Sequence, residues 1–426
     1  MRVLLLSWEY PPRLVGGLGR HVHRLSQELA RAGHEVHVVA PADPLAPGDP
    51  LAPGEEIMDP GVHVIRCALS PPPIDFSTEL VPWVQQLNGS LLEGATRLLR
   101  HADVDVVHAH DWLVTYAAAA VKNAFDLPLV ATLHATEFGR HQGHLPGQMN
   151  KLIHQIEWWL SFEARRVITC SMYMRDETRA IFLLPPQKQD VVANGVDLAD
   201  FDPPEGVEDF RASRVPDGEK MLFYAGRLEF EKGVQTVLDA LTLVLPHEPV
   251  RFCVAGDGTH ADALRARAEA LGLSDRVRFL GFVPQDELAM YYAAADLAVV
   301  PSLYEPFGIV ALETMASGTP CIAADTGGLR EFVVHEATGL RFRPGDPVSL
   351  AGMILRLITD RRLAHRLAVD ARRMIQAEFA WSRIARRTVE VYERAIEQED
   401  DLRAGDRAGL RALLRRSPLL DEEATG

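Results

Sequence analysis

Two glutamates, Glu305 and Glu313, stand with seven residues between them in a segment that could hold a polar ligand. Pro306 and Gly308 predict a loop that enters a helix. Glu305 then precedes the helix, and Glu313 lies about one and a half turns inside it. The first N–H groups of a helix have no intrahelical acceptor and can bind phosphate oxygens. The groups expected to do so are those of Phe307, Gly308 and Ile309.

A ligand with a diphosphate at this helix start would be held from both sides. Glu305 would reach a sugar hydroxyl and Glu313 a ribose hydroxyl, with the diphosphate between them. The simpler alternative is a capped helix that carries an ordinary glutamate. Because residues 311–316 are otherwise mainly apolar, a carboxylate there needs a partner, which favours the ligand site.

Two cations follow another predicted strand. Arg227 comes directly after that strand, and Lys232 stands at the start of the next helix. Together they could clamp a diphosphate and neutralise its charge as it leaves. Taken by composition alone, two solvated surface cations are the simpler interpretation.

The glycine-rich segment 16–19 (Gly-Gly-Leu-Gly) lies between the first predicted strand and a helix. Glycine allows close approach of the backbone to a ligand, and the helix start favours an anion. A tight turn without a ligand explains the segment equally well. It also lacks the spacing of a dinucleotide-binding fingerprint.

Histidines close two further predicted strands. His134 could hydrogen-bond a sugar hydroxyl or stabilise charge at the anomeric carbon, although a lone histidine at a strand end is more often structural. His108, His110 and Asp111 have the same ambiguity at another strand end. They could suggest a metal, but no ligand spacing supports one, so no metal is expected.

These segments must be positioned by alternating strands and helices. The strands predicted in the first half are 3–7, 35–40, 62–67, 104–109, 129–133, 167–170 and 190–193. Those predicted in the second half are 221–225, 250–255, 277–280, 297–301 and 320–323. The rhythm predicts two doubly wound parallel sheets, divided by the Pro- and Gly-rich stretch 200–218. Residues 41–60 are expected to be a loop, residues after Asp346 helical, and the tail from Glu399 frayed.

Bulk composition limits the function classes. A chain of 426 residues is long enough for two domains, and a net charge of -15 argues against a nucleic-acid partner. No apolar run approaches the roughly 20 residues of a membrane span. The cysteines are scattered without pairing or metal-ligand spacing, as in a reducing compartment. They are Cys67, Cys170, Cys253 and Cys321. We therefore expect a cytoplasmic protein without a transmembrane segment.

In combination, these segments resemble the retaining family-4 glycosyltransferases over nearly the whole chain. The most specific match is Glu305 and Glu313, which fit the family's E-x7-E motif. Residues 7–12 (Ser-Trp-Glu-Tyr-Pro-Pro), 193–197 (Ala-Asn-Gly-Val-Asp) and 255–258 (Ala-Gly-Asp-Gly) follow in the expected order, together with Arg227 and Lys232.

The resemblance implies an α/β chain with two facing Rossmann-like domains, the GT-B arrangement. Residues 1–200 would form the acceptor-side domain and residues 201–380 the nucleotide-sugar domain. Residues 381–426 would hold helices that return to the first domain, and an acidic tail. The catalytic set implied is His134, Arg227, Lys232 and Glu305. The donor-binding set implied is Gly17, Gly256, Val283, Phe307, Gly308, Ile309 and Glu313. His110 and Asp111 would lie on the acceptor side.

Residues 134–143 (His-Ala-Thr-Glu-Phe-Gly-Arg-His-Gln-Gly) and 7–12 are similar to those of α-1,4-glucosyltransferases of glycogen or methylglucose-polysaccharide assembly. The resemblance implies retaining transfer of glucose from UDP- or ADP-glucose to an α-1,4-glucan, with no enzyme nucleophile, cofactor or metal. The alternatives are another sugar nucleotide with a lipid or small-molecule acceptor, an epimerase, a phosphorylase, or a non-catalytic scaffold that binds sugar nucleotide. The oligomeric state stays open.

Overall fold

A computed structural model describes residues 1–42, 54–69, 74, 76, 79–202 and 204–415. For residues 286 and 405–415 it describes the backbone alone. Two separate sheets organise this part of the chain. The α/β class with two parallel-sheet domains is confirmed.

The first sheet has eight strands in the order β3-β4-β2-β1-β5-β6-β7-β8. Its strands are β1 (Arg2–Leu6), β2 (Glu35–Pro41), β3 (Gly54–Met58), β4 (Val62–Cys67), β5 (Val106–His110), β6 (Leu129–Leu133), β7 (Arg166–Thr169) and β8 (Gln189–Val191). All neighbours pair in parallel except β3 with β4. Strand β1 pairs with both β2 and β5, so the chain reverses its winding at this point. Ligands of doubly wound sheets bind beside such a switch point, at the carboxyl ends of the strands.

The second sheet has six parallel strands in the order β11-β10-β9-β12-β13-β14. Its strands are β9 (Lys220–Ala225), β10 (Val250–Ala255), β11 (Val277–Gly281), β12 (Leu297–Val300), β13 (Cys321–Ala324) and β14 (Leu340–Phe342). Its switch point lies at β9, between β10 and β12. The segments that carry Arg227 and Glu305 leave the carboxyl ends of β9 and β12.

Helices cover the sheets. They are α1 (Gly17–Arg31), α2 (Leu80–Leu99), α3 (Thr115–Phe125), α4 (Glu137–Arg140), α5 (Gln148–Glu163), α6 (Met172–Phe182), α7 (Val207–Ala212), α8 (Val234–Val244), α9 (Ala261–Ala270), α10 (Gln285–Ala294), α11 (Ile309–Ala316), α12 (Leu329–Phe332), α13 (Pro347–Thr359), α14 (Arg361–Glu378) and α15 (Trp381–Arg415). Short 3-10 turns lie between some of them. No helix in the described ranges has the length and apolar content that a membrane span needs.

The buried strands explain why the sequence signal was strong. Residues Val3, Leu4, Leu5 and Leu6 are fully buried, since parallel strands covered on both faces are apolar throughout. All four cysteines are buried free thiols.

Helix α15 crosses from the second half of the chain to the first sheet. Its Tyr392 hydroxyl lies 2.8 Å from His108 Nδ1, and Arg394 forms an ion pair of 2.9 Å with Asp190. Where the chain crosses, a Cβ added to Gly195 would lie 2.6 Å from the ring of Trp381, so the two crossing segments touch. The domain limits at residues 200 and 380 stay predictions.

Four elements differ from expectation. The predicted loop 41–60 contains β3, whose residues are mostly exposed and gave no apolar signal; residues 43–53 lie outside the described part. The short β14 was not predicted.

Within 200–218 the chain forms α7, and Pro203 lies outside the described part. Helix α15 continues past Glu399 to Arg415, and Glu399 itself is buried and accepts from Arg165 Nε at 2.8 Å. The last eleven residues lie outside the described part.

Candidate active site

The start of α11 has the form of an anion site. Gly308 caps the helix with φ at 107°, a backbone angle that favours glycine, and a Cβ there would lie 2.4 Å from Leu329 Cδ2. The Phe307 ring is buried and packs against Phe332, so only its backbone can face a ligand. The N–H groups from Phe307 to Ile309 precede the first intrahelical bonds and can bind phosphate oxygens.

Lys232 and Glu305 form a half-buried ion pair beside this helix start. Lys232 Nζ lies 2.9 Å from Glu305 Oε2, and the two side chains are 19% and 13% exposed. Ser302 Oγ also donates to Glu305 Oε2, at 2.9 Å. Both bonds go to one oxygen, so within the described chain Oε1 is left to accept from a ligand hydroxyl. The pair brings the segment that carries Lys232 and the segment that carries Glu305 together beside the start of α11. It places a cation and a hydrogen-bond acceptor there in fixed positions.

Arg227 is less tightly held than Lys232. Its side chain is 55% exposed and its nearest carboxylate, Glu231, is 3.9 Å away. It follows Gly226, whose carbonyl oxygen would lie 1.9 Å from a Cβ built on Gly256. Gly256 therefore cannot carry a side chain, and its role here is close packing of two strand ends. Arg227 is free to turn toward a ligand.

Val283 lies two residues after the end of β11, the strand that pairs with the strand before Gly256. Gly256 donates its N–H to the Gly281 carbonyl at 2.7 Å, which sets the turn before Phe282. Phe282 is 81% exposed. A flat apolar side chain at this position has a face that could stack on a ring.

Glu313 is buried on α11 and binds across the cleft. Its Oε1 accepts from Arg20 Nη1 at 2.9 Å, and its Oε2 accepts from the Tyr292 hydroxyl at 3.2 Å. Burial raises the pKa of Glu313, and the Arg20 guanidinium opposes that rise. The expected ribose ligand is therefore already paired. Arg20 and Tyr292 carried no signal in the sequence, since each lies on an ordinary helix.

The glycine-rich segment before α1 meets the second domain. A Cβ on Gly17 would lie 2.8 Å from Ile309 Cδ1, so the glycine packs closely against the side chain of the first residue of α11. An internal carboxylate already sits on this turn: Glu9 Oε2 accepts from the N–H of Val15 at 2.5 Å and of Gly16 at 3.0 Å. The anion expected at α1 is thus supplied in part by Glu9.

Replacing Glu9 by alanine is expected to lower the free energy of unfolding by about 2 kcal/mol, because two backbone N–H groups of the turn lose a charged, buried acceptor. Burial raises the pKa of Glu9 in spite of its backbone bonds, so its charge is costly in the folded state. Glu9→Gln keeps one oxygen and is expected to lose less than half as much. Urea unfolding of both variants measures this. Equal losses would show that the oxygen does not hold the turn.

His134 is positioned by Asp111 in the first domain. Asp111 Oδ1 accepts from the His134 N–H at 2.7 Å, and Asp111 itself has φ at 62°, which is unusual outside glycine. Burial, with the Arg140 charge nearby, lowers the pKa of His134 to about 3, so its ring is neutral. Burial raises the pKa of Asp111 to about 6.

His110 and Asp111 lie behind His134. His110 is fully buried, Asp111 is 5% exposed, and His110 Nδ1 lies 3.2 Å from His134 Nε2. Contact of either residue with an acceptor stays a prediction. His108 is also buried, between the Tyr392 hydroxyl and Thr132 Oγ1.

Further contacts across the cleft were missed from sequence. Ser171 Oγ donates to the Pro306 carbonyl at 2.6 Å, and the N–H groups that begin α6 donate to Glu331. The Tyr304 hydroxyl bonds Glu177 at 3.1 Å. These contacts place the first domain directly over the loop that carries Glu305.

Two facing parallel sheets, with a cation and a carboxylate beside a helix start in the cleft, define the class as a GT-B glycosyltransferase. Family models agree. Residues 15–200 match "Glycosyltransferase Family 4" and residues 207–374 match "Glycosyl transferases group 1". The chain belongs to glycosyltransferase family 4 and is a glycosyltransferase.

Three relatives show the breadth of this similarity. A glycogen synthase of Mycobacterium tuberculosis is 39% identical over 398 residues, which cover 92% of this chain and 94% of that one. A D-inositol 3-phosphate glycosyltransferase of Frankia alni is 33% identical over 89% of this chain and 95% of its own. The structure of a sucrose-phosphate synthase from Thermosynechococcus elongatus superposes with a TM-score of 0.79 at 25% identity, covering 93% and 99%.

Proposed function

We propose that this chain is a retaining glucosyltransferase that moves glucose from UDP- or ADP-glucose onto an α-1,4-glucan. The observation that carries the proposal is the Lys232–Glu305 pair at the start of α11, 2.9 Å across. The Lys232 ammonium suits a phosphate and the Glu305 carboxylate suits a sugar hydroxyl. In a nucleotide sugar, the phosphate and the sugar are joined by the bond that a glycosyltransferase breaks.

In this proposal the diphosphate binds the N–H groups of Phe307, Gly308 and Ile309, with Gly17 close on the opposite side. Lys232 and Arg227 stabilise the negative charge that grows on the leaving phosphate. This charge stabilisation calls for no resident metal or other cofactor.

The remaining groups orient the rest of the donor. Glu305 accepts from a hydroxyl of the transferred sugar, and neutral His134 flanks that sugar from the first domain. Glu313 accepts from the ribose, and the backbone at Val283, beside Gly256, holds the base.

Retention requires that the acceptor attack from the face that the phosphate leaves. We propose that a leaving phosphate oxygen takes the acceptor's proton. We assign Glu305 to a sugar hydroxyl and not to nucleophilic attack, since the Lys232 ammonium 2.9 Å away stabilises its negative charge and weakens it as a nucleophile. Asp111 is unsuited because it is only 5% exposed and its Oδ1 accepts from the His134 backbone.

The choice of glucose and of a glucan is supported by the relative named glycogen synthase, which matches over 92% of this chain. The relative named D-inositol 3-phosphate glycosyltransferase supports a small-molecule acceptor as the second candidate. We also propose a cytoplasmic location, in keeping with four free buried thiols.

The test is nucleoside diphosphate release from a panel of UDP-, ADP- and GDP-sugars, with maltooligosaccharide or inositol 3-phosphate as acceptor. One glucose nucleotide is expected to turn over only when maltooligosaccharide is present. Glu305→Ala is expected to abolish release, whereas Glu269→Ala, an exposed glutamate on α9, should match the parent protein.

Other outcomes decide against parts of the proposal. Turnover with inositol 3-phosphate alone would replace the glucan by a small-molecule acceptor. Binding of a donor without release under any condition would indicate a sugar-nucleotide sensor and overturn the enzymatic proposal.

A further inference from the structure

Three histidines from separate elements of the first domain converge behind the cleft. His21 belongs to α1, His110 ends β5, and His134 follows β6. One ring nitrogen of each lies within 4.8 Å of the other two. Their ring centroids are separated by 4.8, 5.5 and 5.5 Å. The convergence could not be seen in the sequence, because the three residues have no ligand spacing along the chain.

These separations suit a shared metal ion. A tetrahedral metal with nitrogens at about 2.0–2.1 Å places the nitrogens about 3.4 Å apart and the ring centroids about 5 Å apart. His110 Nδ1 and His134 Nε2 are already 3.2 Å apart. A shared ring movement of about 1 Å brings the widest nitrogen pair to the ligand separation.

The hydrogen bonds around the cluster prepare His21 as a ligand. His21 Nδ1 lies 2.7 Å from Asn194 Oδ1, and an amide oxygen can only accept. Nδ1 therefore carries the proton and Nε2 has a free lone pair. A histidine that donates its second N–H to an oxygen is the usual support of a metal ligand.

The ring of His110 can adopt the tautomer that a shared metal needs. His110 Nε2 is buried and has no hydrogen-bond partner among the described residues. With the ring proton on Nε2, the lone pair of Nδ1 faces His134 Nε2 and is available to a metal.

We propose that His21, His110 and His134 form a binding site for a divalent transition metal, with Zn²⁺ as the best fit. Three imidazoles and no carboxylate exclude Mg²⁺ and Ca²⁺, which prefer oxygen. His134 is the partly exposed member, so the fourth position of the metal opens toward the cleft. Zn²⁺ there withdraws His134 from the sugar and inhibits transfer. The inhibition rests on the proposed function; the binding does not.

The experiment uses untagged, chelator-treated protein titrated with Co²⁺, followed by visible absorption and then by competition with Zn²⁺. One equivalent is expected to give the intense bands of a four-coordinate site, which Zn²⁺ abolishes. His21→Gln is expected to weaken Co²⁺ binding at least about tenfold. His144→Gln, an exposed histidine of the same domain, is the matched control and should bind as the parent does.

Variants of Asn194 test whether its hydrogen bond prepares His21 as a metal ligand or whether the three histidines are close by chance. Asn194→Asp keeps an oxygen for His21 Nδ1–H and should retain Co²⁺ binding. Asn194→Leu removes that oxygen and should weaken binding about 10- to 100-fold. Circular dichroism and urea unfolding report whether each variant is folded.

Two results would overturn the proposal. One is a titration of the parent protein that gives no saturable band, and the other is a His21→Gln variant that is folded and binds Co²⁺ normally. If His21→Gln does not fold, anomalous scattering at the zinc edge from crystals of the parent protein decides. A peak among the three histidines supports the site, and zinc found only elsewhere overturns it. Neither readout needs turnover, so failure here is distinct from failure of the proposed function.

Discussion

Replacing Lys232 by alanine is expected to lower kcat for sugar transfer about 10²- to 10³-fold, the usual loss when one fixed group that stabilises transition-state charge is removed. Lys232 is 19% exposed and fixed by Glu305 at 2.9 Å, so its charge costs little to orient. Arg227, 55% exposed and 3.9 Å from its nearest carboxylate, is less well placed. Compared with Lys232→Ala, Arg227→Ala should therefore lower kcat less and raise KM for the donor more.

Steady-state kinetics with a saturating acceptor measure both variants. Lys232→Arg keeps the charge and should recover part of the loss. Lys151→Ala, an exposed lysine on α5, is the control for removal of a positive charge. Loss of the Lys232 ammonium also leaves Glu305 without its cation, so urea unfolding must show that the variant is folded. A folded Lys232→Ala variant with unchanged kcat would contradict the placement of the diphosphate at α11.

Replacing Glu313 by alanine is expected to raise KM for the donor about 10- to 100-fold, because a hydrogen bond to a charged group is worth about 1.5–3 kcal/mol. A ribose contact is the same in the ground state and the transition state, so kcat should change little. Initial rates over a range of donor concentrations separate the two constants.

Arg20→Ala distinguishes a ribose contact from an indirect effect of the ion pair across the cleft. It breaks the 2.9 Å pair and leaves the Glu313 carboxylate in place. Arg20 is 45% exposed and Glu313 is 6% exposed, so a ribose that displaces the guanidinium into solvent must replace its hydrogen bond to the buried carboxylate. We expect its KM within about threefold of the parent's. Equal KM values for both variants would mean that Glu313 acts through Arg20, and the ribose contact would be wrong.

The fold could be predicted because its central strands are buried on both faces. Strand β6 lies at the predicted residues 129–133, and β1 within one residue of its prediction. Strand β3 was missed because it lies at the sheet edge, where four of its five residues are exposed and Glu55 and Glu56 give no apolar run. Burial on both faces requires a run of apolar residues, which can be recognised in the sequence. Backbone pairing at a sheet edge requires no particular side chains and so leaves no such run.

The candidate site was predicted in its parts. Glu305, Lys232 and the start of α11 could be found because glycine, proline and charge occur together at strand ends. The residues that pair with them could not be found from the sequence. Arg20 pairs with Glu313 only because the two domains face each other, and a single arginine on the first turn of α1 has no distinguishing pattern. His21 likewise reads as one more residue of an amphipathic helix.

Retaining transfer of glucose to a glucan is tested most directly by proton NMR of the product made from ¹³C-labelled glucose nucleotide and maltotriose. We predict one new glucose at the non-reducing end, joined to C4, with the small anomeric coupling constant of an α-linkage. A β-linked product, with its large coupling constant, would contradict retention. Label found only in free glucose would contradict transfer.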